Sequence, residues 1–160
     1  MADYSGAGGL FPLPAPRRRV AALVVDAVFC YGTLEWPEVL QAVTGRRFPS
    51  ARAVLPGYAR FLLREQVYPA VVERTGAETD GCVWLGVDAV ALARLDAFEG
   101  EGQLYERRAL RVRAESGAIV AWTYVLHPRE RGRLSDQPWD RALFAARHLA
   151  SFLESSRSAP

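Results

Sequence analysis

No lysine occurs anywhere in this 160-residue chain, and all of its twenty basic residues are arginines. A Schiff-base lysine, a pyridoxal-phosphate anchor and a phosphate-loop lysine are therefore excluded. The arginine bias fits a GC-rich coding sequence and by itself names no partner. Cysteine is nearly as scarce. Cys30 and Cys82 are not a close-spaced pair and lack the His or Cys companions of a zinc site, so they read as buried free thiols of a reducing compartment. The two histidines, His127 before Pro128 and His148 further on, are far apart without partner motifs and read as structural or surface residues. Ser135-Asp136 is not accompanied by a Gly-x-Ser-x-Gly elbow, which removes a hydrolase triad.

Long hydrophobic runs are missing as well. Val20 to Cys30 is apolar except for Asp26 and falls short of the about 20 residues that a bilayer span requires. Arg17, Arg18 and Arg19 in front of it imitate the basic flank of a secretory signal, but no clear small-residue cleavage site follows. A cytoplasmic protein without a membrane partner is the expectation. A formal charge of +2 is too small to imply a nucleic-acid surface. The local clusters Arg17 to Arg19 and Arg129 to Arg133 read as solvated loops, and Trp36, Trp84, Trp122 and Trp139 as core or pocket walls rather than platforms for bases.

What is present is a composition with 50% hydrophobic residues in a length suited to one core. Residues 1–19, rich in proline, glycine and arginine, form an expected flexible leader, residues 20–154 a single domain, and residues 155–160 a fraying tail. Val24 to Tyr31 fits a buried first strand that Gly32 and Thr33 turn. Pro37 to Val43 has helical spacing and stops at Gly45. Ala51 to Leu63 is extended with a bend or bulge at Pro56-Gly57, and Val67 to Val72 and Cys82 to Val87 are two further short strands. Asp88 caps a helix carrying Leu92, Leu95 and Phe98, closed by Glu99 and ended by Gly100 and Gly102. Tyr105 to Ala114 and Ile119 to Leu126 form a hairpin, and Pro138 to Glu154 a last helix with Trp139, Leu143, Ala146, Leu149 and Leu153 on one face. Six or so strands with two or three helices and no internal repeat predict a small α+β fold built on a strongly curved or closed sheet.

Two segments carry chemistry. A glycine just after a strand lets consecutive backbone N–H groups point one way, so Tyr31-Gly32-Thr33-Leu34 suits a nest for a carboxylate. The same spacing equally fits a plain strand-ending turn. Glu99 stands at the negative end of its helix dipole beside Asp96 and Glu101, all of which disfavour its ionised form and raise its affinity for protons. That makes it a candidate general base near neutral pH, shielded by Phe98, Tyr105 or Trp84; an exposed acid at a helix end is the other reading.

Taken together, Phe29-Cys30-Tyr31-Gly32-Thr33-Leu34, then Val67-Tyr68-Pro69-Ala70-Val71, then Leu95-Asp96-x-Phe98-Glu99-Gly100 with Tyr105-x-Arg107 resemble the γ-glutamylcyclotransferase-like family. The similarity is greatest to its branch of avirulence-induced plant proteins and γ-glutamylamine cyclotransferases, and it runs in order from about Val28 to Leu126. The resemblance implies a compact, barrel-like mixed β sheet flanked by helices, with the Tyr-Gly-Thr-Leu loop lining a cavity that the glutamate faces. It implies that the amides of Tyr31, Gly32, Thr33 and Leu34 bind the α-carboxylate end of a γ-glutamyl group, that Glu99 is the base, and that Tyr105 orients substrate or glutamate. It further implies release of 5-oxoproline from a small γ-glutamyl amine, peptide or protected metabolite, with no metal or cofactor. A non-catalytic binding module on the same cavity, or a transferase or lyase with another leaving group, would share these residues.

Overall fold

The computed structural model describes residues 24–158. The expected leader therefore lies outside the described residues. Five strands close into one barrel in the order β1-β3-β2-β4-β5. They are β1 (Val28–Cys30), β2 (Ser50–Leu62), β3 (Pro69–Trp84), β4 (Tyr105–Ala114) and β5 (Gly117–Leu126). β1 pairs antiparallel with β3 and parallel with β5, which makes the sheet mixed and closes it. The α+β barrel expected from the sequence is the observed fold.

Side chains alternate across each strand, so a closed sheet with both faces covered needs two apolar sets. Phe29, Leu55, Val71, Val83, Val112 and Val125 fill the barrel. The opposite face presents Val28, Leu63, Trp84 and Leu126 to a helical layer that contributes Val39 and Leu40 from α1 (Pro37–Thr44) and Ala91 and Leu95 from α2 (Ala89–Glu99). Each Val, Leu or Phe among them, taken fully out of water, contributes about 1.5–3 kcal/mol. α2 starts where the Asp88 carboxylate accepts from the Ala91 N–H at 2.9 Å and ends at Gly100, as its sequence signals predict.

Three elements differ from expectation. The two short strands around Val67 to Val72 and Cys82 to Val87 are the ends of one 16-residue strand, β3. Its polar middle lacks the alternation of a half-buried strand, yet stays paired with β2 across a register shift between Pro56 and Tyr58, where the sequence predicts a bulge. The sheet accordingly has five strands. The last helix is split into α3 (Arg141–Arg147) and α4 (Leu149–Arg157), and it begins late because the Asp140 carboxylate caps the Leu143 N–H at 2.9 Å. Trp139 is held outside it, its Nε1 donating to the Val67 carbonyl at 2.9 Å. Phe144, not the 45% exposed Leu143, is the residue buried from α3. Finally, Pro128–Arg133 is a 3-10 helix rather than a loop, with the His127 ring accepting from the Arg129 N–H. None of the described helices is long and apolar enough to cross a membrane.

Closure depends on how near β1 comes to β3. Cys30 stands directly opposite Cys82, both as free buried thiols. Beside them, a Cβ on Gly81 would lie 2.2 Å from the Cys30 carbonyl oxygen and 2.8 Å from the Phe29 ring. Gly81→Ala must therefore push β1 outward, and urea unfolding should show a loss of about 1–3 kcal/mol.

Candidate active site

β1 runs straight into the segment expected to form an anion nest. Tyr31 and Gly32 are followed by one 3-10 turn, Thr33–Glu35, closed by the Glu35 N–H on the Gly32 carbonyl at 3.0 Å. The loop's outward-facing groups are pinned to the protein body. The Tyr31 hydroxyl donates to the Tyr124 carbonyl, Arg60 donates to the Tyr31 carbonyl at 2.8 Å, and Trp84 Nε1 donates to the Leu34 carbonyl at 3.0 Å. Among the described residues, the backbone N–H groups of Tyr31, Gly32, Thr33 and Leu34 have no acceptor. Gly32 is needed for a reason other than the one its position in sequence proposes. Its φ of −140° is open to any residue, but a Cβ there would lie 2.8 Å from the Pro69 ring.

A cavity of about 190 Å³ opens where this loop meets α2 and α4. Tyr31, Gly32, Thr33, Leu34, Glu99 and Tyr105, the six residues singled out from the sequence, all lie in its wall. Glu99 is the last residue of α2, and the turn Gly100 to Leu104 folds back tightly enough to bring Tyr105 beside it. Backbone bonds fix that turn, among them Glu101 N–H to the Asp96 carbonyl at 3.0 Å, Leu104 N–H to the Gly100 carbonyl at 3.0 Å and Gly102 N–H to the Tyr105 carbonyl at 2.8 Å. The Tyr105 hydroxyl donates to the Pro69 carbonyl at 2.8 Å, so it secures the residue against which Gly32 packs.

Glu99 behaves as the sequence predicts, though for another reason. Its pKa is pushed up to about 8, and the cause is burial of the carboxylate. Asp96 does not act on it as expected, because its two oxygens are taken by Arg107 at 2.9 Å and by the Tyr124 hydroxyl at 2.8 Å. Glu101 points to the surface and accepts from the Arg107 N–H. No hydrogen bond or ion pair to the Glu99 carboxylate forms among the described residues. Burial, with the negative field of Glu99 adding to it, also holds the Tyr105 and Tyr31 phenols well above their ordinary pKa, so both remain neutral donors.

Several wall residues carry no assignment from the sequence. Tyr68 and Pro69 belong to a motif without a role of its own, and Tyr124 sits in the predicted last strand without a distinguishing signal. Phe98 and Phe152 close one side as an edge-to-face pair with centroids 6.1 Å apart. Phe152 arrives from the C-terminal helix, and only tertiary packing brings it there. His127, His148 and the arginines of the 3-10 helix Pro128–Arg133 are not in the wall. Among the described residues no group of three or more His, Cys, Asp and Glu side chains converges as a metal site would need.

Comparison with known proteins bears on this cavity. A family model described as "Gamma-glutamyl cyclotransferase, AIG2-like" matches residues 28–141. "AIG2-like protein A" of Arabidopsis thaliana is 30% identical over 139 residues, covering 83% of this chain and 80% of that relative. A solution structure of an Arabidopsis thaliana protein, also 30% identical, superposes with a TM-score of 0.64 over 82% of this chain and 79% of its own. A structure described as "Gamma-glutamyl cyclotransferase" is 16% identical and shares the fold with a TM-score of 0.57, over 84% of this chain and 87% of its own.

The burial of Glu99 has a sign that can be measured. The unfolded chain releases its proton near the ordinary 4.5, whereas the folded protein holds it to about 8, so wild-type stability falls as pH rises across that interval. Glu99→Gln removes this loss. Its stability should match the wild type near pH 4.5 and exceed it by up to ~5 kcal/mol above pH 8, read from denaturant midpoints across the range.

Proposed function

This chain belongs to the gamma-glutamyl cyclotransferase, AIG2-like family, and from that premise we propose that it is a γ-glutamyl cyclotransferase with Glu99 as its base. The observation that carries the reading is an unpaired, half-buried carboxylate opening onto one cavity with four unpaired backbone donors. The loop amides hold the α-carboxylate of a γ-glutamyl group. Glu99 takes a proton from the α-ammonium beside it. The freed amine attacks the γ-carbonyl, a bond forms between the α-nitrogen and the γ-carbon, and the bond from that carbon to the leaving nitrogen breaks. Glu99 gives that proton to the leaving nitrogen and takes up the second proton that the α-nitrogen sheds as the lactam forms. This second proton also passes to the released amine, so the products are 5-oxoproline and an ammonium, with Glu99 ionised again.

So few groups suffice because nucleophile and electrophile belong to one molecule. Holding them at attacking distance supplies on the order of 7–11 kcal/mol of the barrier. The wall is stiff enough to hold such a pose, because Tyr31, Tyr105 and Tyr124 are fixed by hydrogen bonds to the body of the protein. A neutral base in the empty site is compatible with this chemistry, since an arriving ammonium draws the proton equilibrium of Glu99 down toward ionisation.

Two measurements test the proposal. Incubation with a panel of γ-glutamyl amines and dipeptides should release 5-oxoproline, and Glu99→Gln should lower the rate by about 10²–10⁴ while the fold persists. Stabilisation by 5-oxoproline without any product from the panel would make the chain a binding module instead. Because the base must be ionised, kcat/KM should climb with pH through about 8, the value for the empty site. The corresponding limb in kcat should lie lower, since bound ammonium favours the carboxylate; a flat profile in both removes Glu99 from the role.

A further inference from the structure

Behind the loop, outside the cavity wall, lies a network of charges that the proposed chemistry does not use. Arg60 of β2, whose side chain is only 15% exposed, donates from one nitrogen to the Tyr31 carbonyl at 2.8 Å and the Asp80 carbonyl at 3.0 Å. Its other nitrogen meets the Asp80 carboxylate at 2.9 Å, and its plane lies 5.4 Å over the Trp139 ring. Asp80 also receives Arg141 of α3 at 3.1 Å. Arg141 then forks onto Glu35, the residue just past Leu34, at 3.0 and 2.6 Å. The loop is gripped at both ends by one ionic lattice.

The consequence follows from peptide geometry. In a trans peptide the C=O and N–H of one unit point in opposite directions, and no described peptide is cis. The Tyr31 carbonyl and the Gly32 N–H form one such unit. With the carbonyl drawn to Arg60, the Gly32 N–H is turned away from it. The Gly32 carbonyl, drawn to the Glu35 N–H, fixes the Thr33 N–H in the same manner. We propose that Arg60 is the positioning residue of this loop: by holding the Tyr31 carbonyl it presents the Gly32 amide to a bound carboxylate, beside the Thr33 amide that the turn itself fixes. Asp80 aims the guanidinium, and Arg141 holds the far end through Glu35. The inference rests on the reading that this loop holds the substrate's carboxylate. A planar, multiply donating group can grip several acceptors at fixed angles, which a point charge cannot.

The test uses amide NMR, 5-oxoproline as probe, and the variants Arg60→Gln and Arg60→Lys. In the wild type, 5-oxoproline should move the Gly32 and Thr33 amide resonances. In Arg60→Gln those resonances should already differ without ligand, and Kd should rise about tenfold or more. Arg60→Lys, which keeps the positive charge on a single donor nitrogen, should recover part of that loss. With a γ-glutamyl amine, KM should rise in step with Kd while kcat stays within about threefold. A purely structural role would lower the melting temperature of both variants and leave Kd and KM within about twofold, which overturns the proposal. So would a wild-type loop that does not respond to 5-oxoproline. Carboxylate binding that depends on Arg60 without release of product would sustain the positioning role and remove the cyclotransferase.

Discussion

The architecture depends on the seating of a three-residue strand. β1 is buried along its whole length, and among the described strands it is the one that pairs with both β3 and β5 and so makes the sheet a barrel. Its approach to β3 leaves no room for a side chain at Gly81. Because β1 leads directly into the Tyr31 to Leu34 loop, the same pairing that closes the barrel also sets the direction in which that loop leaves it. Tyr31 strengthens the link by bonding across the closure to the Tyr124 carbonyl on β5. Core and cavity are two consequences of one seam.

Around the cavity the protein treats its acids unequally. Asp96 is shared between a guanidinium and a phenol, while burial of Asp80 is outweighed by Arg60 and Arg141, which draw its carboxyl below the ordinary range. Glu35 is forked by Arg141, yet burial still leaves its pKa raised. Glu99, half-buried at the cavity, alone of these four is desolvated with no compensating cation. An uncompensated buried carboxylate destabilises a fold in its charged form, and such groups mark places where a ligand supplies the missing partner.

Much of this is legible from the chain because the informative residues lie at element ends. Asp88 and Gly100 bound α2 and so place Glu99 at a terminus, and Gly32 after an apolar run places the loop. Local rules fail where the deciding partner is remote in sequence. The polar middle of β3 is a strand only because β2 pairs with it, and Trp139 stays outside the last helix because it anchors to the Val67 carbonyl. The same holds for the chemistry. Asp96 and the helix dipole predict the raised affinity of Glu99 for protons, but Arg107 and Tyr124 occupy Asp96, and the cause is enclosure. Arg60, Tyr124 and Phe152 carry no local signal, since register and docking bring them to the loop or the cavity.

The pairing of Val28 with Trp122 has a consequence for how the protein is born. Synthesis proceeds from the N-terminus, and the parallel partner of β1 emerges from the ribosome only after most of the chain has been made. Phe152, on the last helix, follows later still. The opening strand must therefore wait, unpaired on one edge and rich in apolar surface, while its neighbours are translated. The wall of the cavity is therefore complete only once Phe152 has been made.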